Sequence, residues 1–199
     1  MYVLIRGLFS LFFHLFFLGW KAEGLANLPQ EGAVILYSNH ISWWDPPLVG
    51  CVVKRPVCFM AKEELFRIPI IGQVLPLLGA FPVRRGTADR AAIRRALEIL
   101  KEGRVLGIFP EGTRSKSGQL QKAEPGTALL AIKSRASLVP VAILGPYRPF
   151  RPIRVRIGQP FFMEEFFNQR VSGDILNPAS RKIMERIAAL VVAPDTGKS

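Results

Sequence analysis

Apolar residues run along this chain in short, nearly unbroken blocks separated by Gly, Pro and charged positions. Ala33–Ser38, Val57–Ala61, Ala80–Val83, Arg104–Phe109, Leu138–Leu144 and Ile153–Ile157 each predict a strand. Between them the spacing becomes helical. Pro46–Val53, Thr87–Leu100 and Gly126–Lys133 predict helices, the second with Thr87 as its cap, Asp89 in its first turn and Gly103 just beyond its end. Pro178–Val192 predicts a final helix capped by Asn177, with Ile183, Ile187, Leu190 and Val191 on one face. Alternating strand and helix signals predict an α/β fold: a single domain with a central, mostly parallel or mixed sheet flanked by helices.

The N-terminus departs from this rhythm. From Val3 to Trp20 the apolar run is broken only by Arg6, Gly7, Ser10, His14 and Gly19. As one helix it would be roughly 27 Å long, at the border of a spanning length. A single basic residue, a Phe-rich run and the lack of a clear Ala-x-Ala site argue against a cleaved signal peptide. Arg6, Ser10 and His14 are spaced by four and form a narrow polar stripe, while Leu4, Leu8, Leu11, Phe12, Leu15 and Phe16 cover much of the remainder. An arginine is costly at the bilayer centre and acceptable near headgroups or against a folded domain. The pattern predicts a membrane-associating helix over residues 1–20, lying in the interface or re-entrant, with single-pass spanning as the alternative. A folded domain over 21–193 and a loose tail over 194–199 complete the expected organisation.

At 199 residues the chain is large enough for one sizeable core, and its mean hydropathy of +0.24 is high for a soluble domain. Lys and Arg outnumber Asp and Glu by 27 to 15, a net charge of +12 that implies anionic partners. Arg84, Arg85, Arg90, Arg94 and Arg95 form one concentration; Arg154 and Arg156 alternate with Ile153, Val155 and Ile157, so in a strand they share the face opposite the apolar side. Each cluster reads either as a solvated basic face or as a docking site. No recognisable zinc-finger, ribonucleoprotein or helix-turn-helix signature accompanies the charge, which weakens a nucleic-acid reading. Cys51 and Cys58 have no histidine nearby and read as buried apolar residues of a reducing compartment, neither a metal site nor a disulfide framework.

Two motifs carry chemistry. Asn39–Pro46, NHISWWDP, follows the strand signal Ala33–Ser38 and places a histidine and an aspartate with four residues between them at a strand-to-helix junction. Neutral imidazole takes a proton from a hydroxyl near pH 7 when its other nitrogen donates to an acceptor that fixes the tautomer, and Asp45 suits that task. The competing reading has His40 bonding a loop and Asp45 capping a helix. About seventy residues later FPEGTRS, Phe109–Ser115, forms a Pro/Gly-broken turn after a second strand signal. Arg114 offers a planar fork for phosphate, and Gly112 lets backbone amides approach an anion. No Gly-x-Ser-x-Gly elbow is present, neither cysteine lies in a nucleophile motif, and Ser42 reads as a structural hydroxyl.

In order, NHISWWD, KEELFRIPIIGQVLPLLGAFPVRRG, FPEGTRS and VPVAI are four blocks through which the chain resembles the glycerolipid acyltransferases, over roughly Ala22 to Gln159. The resemblance implies transfer of a fatty acyl group from acyl-CoA or acyl-carrier protein to the free hydroxyl of 1-acyl-glycerol-3-phosphate. Glycerol-3-phosphate or another lysophospholipid is the alternative acceptor, and a non-catalytic basic lipid-binding module the rival class. It also implies His40 as general base and Asp45 as its orienting partner. Glu111, Gly112, Thr113 and Arg114 would bind the phosphate-bearing acceptor, with Lys62 and Arg85 as further basic contacts and Arg84 the alternative beside them. One departure stands out: where the family has a lysine before the glycine that follows the third block, this chain reads Ala-Glu-Pro-Gly with Glu124. No metal, cofactor or nucleic acid is implied. The partners implied are the thioester donor, the lysophosphatidic acid acceptor and an anionic membrane surface, with the catalytic domain on the cytoplasmic side.

Overall fold

The computed structural model describes residues 1–84 and 89–194. In chain order, the described residues form α1 (Tyr2–Phe17), β1 (Trp20–Glu23), β2 (Val34–Ser38), α2 (Asp45–Val52), β3 (Val57–Lys62), α3 (Ile71–Leu77), β4 (Phe81–Val83), α4 (Arg90–Lys101), β5 (Val105–Ile108), α5 (Pro125–Ser134), β6 (Ser137–Leu144), β7 (Ile153–Ile157) and α6 (Gly173–Val192). The strands join in one sheet in the order β1-β7-β6-β2-β5-β3-β4. Every pairing is parallel except β6 with β7. The expected α/β architecture with a mixed sheet is therefore present.

Strand alternation sends side chains into two cores, one on each face of the sheet. Ile35, Tyr37, Leu106 and Leu138 pack on Ala96, Ile99, Leu130 and Ile183 from α4, α5 and α6. Val34, Leu36, Val141 and Val155 pack on Leu48 and Val49 of α2 and on Phe13 and Phe17 of α1. Helix α1 is therefore built into the protein core through one face. Its other face leaves Leu4, Leu8, Leu11 and Leu15 exposed.

Several boundaries differ from the pattern in the sequence. Helix α1 stops at Phe17 because Leu18 and Gly19 both take left-handed backbone angles and turn the chain. Trp20 is then free to open β1, a strand that the apolar run had concealed. At sixteen residues α1 is about 24 Å long, and among the described residues no helix is long and apolar enough to cross a membrane. Within its polar stripe Arg6 donates to the carbonyl of Lys54, whereas His14 is exposed and bonds to the Ser10 carbonyl one turn back. Helix α3 was not expected. Its segment is apolar apart from Gln73 and is interrupted by Gly72 and Pro76, so it lacks the contrast that marks a helical period. The cap of α4 is Asp89, whose carboxylate accepts from the amides of Ala91 and Ala92 and is held below the usual carboxylate range by these and the Arg84 amide. Thr87, the expected cap, lies outside the described residues, as do Arg85 and the tail beyond residue 194. Helix α6 begins at Gly173, five residues before the expected start, with Ser172 in place of Asn177 at the cap position and Pro178 inside the helix.

The arginines of β7 do share one face, but Arg156 is not part of a solvated basic surface. It is buried, pairs with Glu23 of β1 at 3.1 Å and donates to the carbonyls of Leu190, Ala193 and Pro194 at the end of α6. A guanidinium there satisfies helix-terminal acceptors and matches the negative end of the helix dipole. Cys51 and Cys58 are both free and buried, and burial pushes the Cys51 thiol up to about 11.

Candidate active site

Strands β2, β5, β3 and β4 are parallel, so their carboxyl ends lie along one edge of the sheet, the edge where α/β proteins gather their ligands. Asn39 and His40 leave β2 there, Phe109 leaves β5, Lys62 ends β3 and Arg84 follows β4. Asn39 extends the ordered strand by one step. Its side-chain amide donates to the carbonyl of Ile143 and accepts from that residue's N–H, at 3.0 and 2.7 Å.

The next residue, His40, is buried, and its Nδ1 lies 2.8 Å from Oδ2 of Asp45. The same carboxylate oxygen accepts the amides of Ile41 and Ser42, at 2.6 and 2.7 Å. Asp45 therefore closes the five-residue loop back on itself and does not cap α2. A carboxylate only accepts, so the proton of the neutral imidazole belongs on Nδ1 and Nε2 keeps its lone pair. The hydroxyl of Ser42 is engaged locally, accepting from the amide of Trp44.

Both backbone groups of His40 are bound to the second motif. Its N–H donates to Oε1 of Glu111 at 3.1 Å, and its carbonyl accepts from the amide of Ser115 at 2.8 Å. The other Glu111 oxygen accepts from Gln121. Glu111 is thus buried with both oxygens on backbone amides, and the desolvation of its carboxylate raises its pKa. Phe109 stacks on the His40 ring with centroids 4.2 Å apart, and Phe59 stacks on Phe109 in turn. Gly107 makes room for this stack: a Cβ there would lie 2.2 Å from the Phe59 ring. Gly112 has φ of +67° and allows the turn after Phe109.

The remaining sequence candidates fall around this centre. The Arg114 guanidinium lies over the ring of Trp43, 3.8 Å from its centroid, which joins the two motifs a fourth time. Thr113 is exposed. Lys62 is half-exposed and pairs with Glu64 at 3.2 Å; Arg84 is exposed, near Glu63 and Asp89. Glu124, the departure from the family pattern, packs against the Gly112 turn, where it is the atom group nearest to the missing side chain. A cleft of about 750 Å³ runs from Asn39, Ile41 and Ser42 past Tyr147 to Arg154 and Arg156; His40 and Asp45 themselves do not line it. Among the described residues no group of three or more His, Cys, Asp or Glu could hold a metal ion.

Two residues at the site carried no sequence signal that spacing could reveal. Tyr147 reaches Asp45 from 102 positions away, out of a Pro- and Arg-rich loop. Phe109 looked like the end of a strand and is instead a ring under His40. The aromatic preceding the Pro-Glu-Gly turn was its only trace.

A mixed α/β sheet with a buried histidine–aspartate pair at its carboxyl edge, bound to a Pro-Glu-Gly-Thr-Arg turn, defines the class. The chain belongs to the acyltransferase family, whose sequence model matches residues 20–144. It is 35% identical over 122 residues to 1-acyl-sn-glycerol-3-phosphate acyltransferase of Borreliella burgdorferi, covering 60% of this chain and 49% of that protein. It is likewise 35% identical over 129 residues to the Bacillus subtilis protein of the same name, covering 64% of each. The chain therefore spans between half and two thirds of the length of these relatives. A crystal structure of the lysophosphatidic acid acyltransferase PlsC from Thermotoga maritima superposes with a TM-score of 0.69 at 28% identity, covering 89% of this chain and 74% of that one.

Proposed function

We propose that this protein transfers a fatty acyl group from a thioester, acyl-CoA or acyl-carrier protein, to the free hydroxyl of 1-acyl-glycerol-3-phosphate, producing phosphatidic acid and a free thiol. The observation that carries this reading is the 2.8 Å contact between His40 Nδ1 and the fully buried Asp45, in a chain of the acyltransferase family. Its relatives' names support the acceptor.

In this mechanism Nε2 of His40 removes the proton from the acceptor hydroxyl as that oxygen attacks the thioester carbonyl. Asp45 stabilises the imidazolium. Collapse of the tetrahedral adduct breaks the carbon–sulfur bond, and the imidazolium returns its proton to the departing thiolate. A thioester is already activated, so no enzyme nucleophile is needed. Arg114 holds the acceptor phosphate from its place over Trp43, and Lys62 and Arg84 supply further positive charge along the same edge, with Arg85, outside the described residues, as a further basic contact. Glu111, whose oxygens are both occupied by amides, serves as the brace that joins the two motifs, with Gly112 and Thr113 shaping the turn. The exposed leucine face of α1 rests in the cytoplasmic surface of the bilayer, where the acceptor resides.

The test is an assay of purified protein with each donor against lysophosphatidic acid, glycerol-3-phosphate and a neutral lysolipid. Turnover is expected with lysophosphatidic acid, and His40→Ala should reduce it by on the order of 10²–10⁴ while the fold is retained. Near-normal turnover by folded His40→Ala would reject the base. Binding without turnover of any acceptor would favour a lipid-binding module instead.

A further inference from the structure

Asp45 receives four donors. Three reach Oδ2: the imidazole of His40 and the amides of Ile41 and Ser42. The fourth is the hydroxyl of Tyr147, which donates to Oδ1 at 2.6 Å. This phenol comes from the loop joining β6 to β7, on the opposite side of the carboxylate from the histidine loop. Its ring is fixed edge-on against Phe17 of α1, with centroids 5.7 Å apart. Two contacts from the same loop region therefore reach α1, this ring contact and a hydrogen bond from the amide of Phe150 to the carbonyl of Phe16.

We propose that Tyr147 is a positioning residue for the reaction, holding part of the Asp45 charge on Oδ1 and thereby setting the basicity of His40. This rests on the reading of His40 as general base. The physical basis is the sharing of one carboxylate between two partners. A strong donor on Oδ1 draws negative charge away from Oδ2, so the carboxylate stabilises the imidazolium less than it would alone. Burial and the neighbouring Asp45 charge both hold the Tyr147 phenol well above its ordinary value, so it stays a donor throughout the working pH range. The titratable groups facing His40 are Asp45 from α2, Glu111 from the turn after β5, and Tyr147 through Asp45. Glu111 meets the backbone of His40 and is unchanged by substitution at Tyr147.

Tyr147→Phe keeps the ring against Phe17 and removes only the hydroxyl. Asp45 then places more of its charge at the imidazolium, so removing the hydroxyl should move the His40 transition toward higher pH. The acid limb of kcat/KM should move up by the same amount, because the neutral base appears later. Activity near neutral pH should fall several-fold and recover in part at higher pH. A purely structural role would lower activity equally at every pH.

The chain has two histidines, His14 and His40, so NMR of histidine-labelled protein resolves both titrations, and His14→Gln assigns them. Replacing Tyr147 site-specifically by 3,5-difluorotyrosine retains the side chain's shape and strengthens the donor, so the His40 titration should move down. That arm decides the matter should Tyr147→Phe fail to fold. An unmoved His40 titration, with His40→Ala inactive, overturns the positioning role and leaves the base reading standing. Turnover retained by His40→Ala overturns the base reading itself.

Discussion

Glu111 illustrates how a residue's neighbours decide its task. A glutamate beside a threonine and an arginine invites a role in contacting substrate, yet its carboxylate spends both oxygens on the amides of His40 and Gln121. Burial raises its pKa in the folded state, so the folded protein holds this proton to higher pH than the unfolded chain does. The sign follows from linkage. The group's contribution to stability is fully present below the ordinary carboxyl range, declines as pH rises toward the raised value, and is constant above it. Glu111→Gln cannot titrate and turns an N–H toward one of the two amides, so it should destabilise the protein by about 1–3 kcal/mol at low pH, with a smaller deficit above the raised value. Urea unfolding of both proteins across a pH series measures this, and parallel stability curves would reject it. The His40–Asp45 pair was legible because its partners are close in sequence and their chemistry is narrow. The Glu111 and Tyr147 contacts were not, because each joins loops brought together only by the sheet.

Among the elements, β5 tolerates little change at Gly107. Gly107 lies opposite Phe59 in the parallel register, and its missing side chain lets the Phe59 ring reach Phe109, which supports the imidazole. Gly107→Ala should force that ring aside, costing about 1–3 kcal/mol and lowering kcat more than it raises KM. Adding Phe59→Leu should recover part of both losses, a coupling that thermal denaturation and kinetics of the double mutant can measure. Six of the seven strands were readable as apolar blocks, since strands covered on both faces leave such runs. Strand β1 was not, because Trp20 continues the apolar run of α1 and the break between them lies in the backbone angles of Leu18 and Gly19. The early start of α6 escaped for the opposite reason: Pro178 reads as a first-turn residue and is here preceded by five helical positions.

At the scale of the whole molecule, α1 faces two environments. Phe13 is fully buried, whereas Leu4, Leu8, Leu11 and Leu15 are each at least 57% exposed. Trp43, Ile70 and Phe150 are further exposed apolar residues. If the leucine face rests on a bilayer as proposed, replacing Leu8 and Leu11 by serine should weaken binding to vesicles containing anionic phospholipid by at least about tenfold, given the transfer free energy of a leucine side chain. Thermal stability should be nearly unchanged, because neither side chain is in the core. Co-flotation and melting curves provide the two measurements; unchanged flotation would exclude this face as the contact. Removing α1 altogether is the poorer experiment, since it also takes Phe13 and Phe17 out of the core.

The join between the first strand and β7 has a bearing on biosynthesis. Glu23 and Arg156, which pair across these neighbouring strands, are 133 positions apart. At synthesis rates of about 5–20 residues per second the N-terminal helix and strand emerge roughly 7–27 seconds before their sheet partner exists. During that interval the faces of α1 destined for the interior and those left outside are equally bare. A lipid surface or a chaperone that shelters the nascent helix would therefore act before the sheet can close, making delivery of the growing chain part of how this fold is reached.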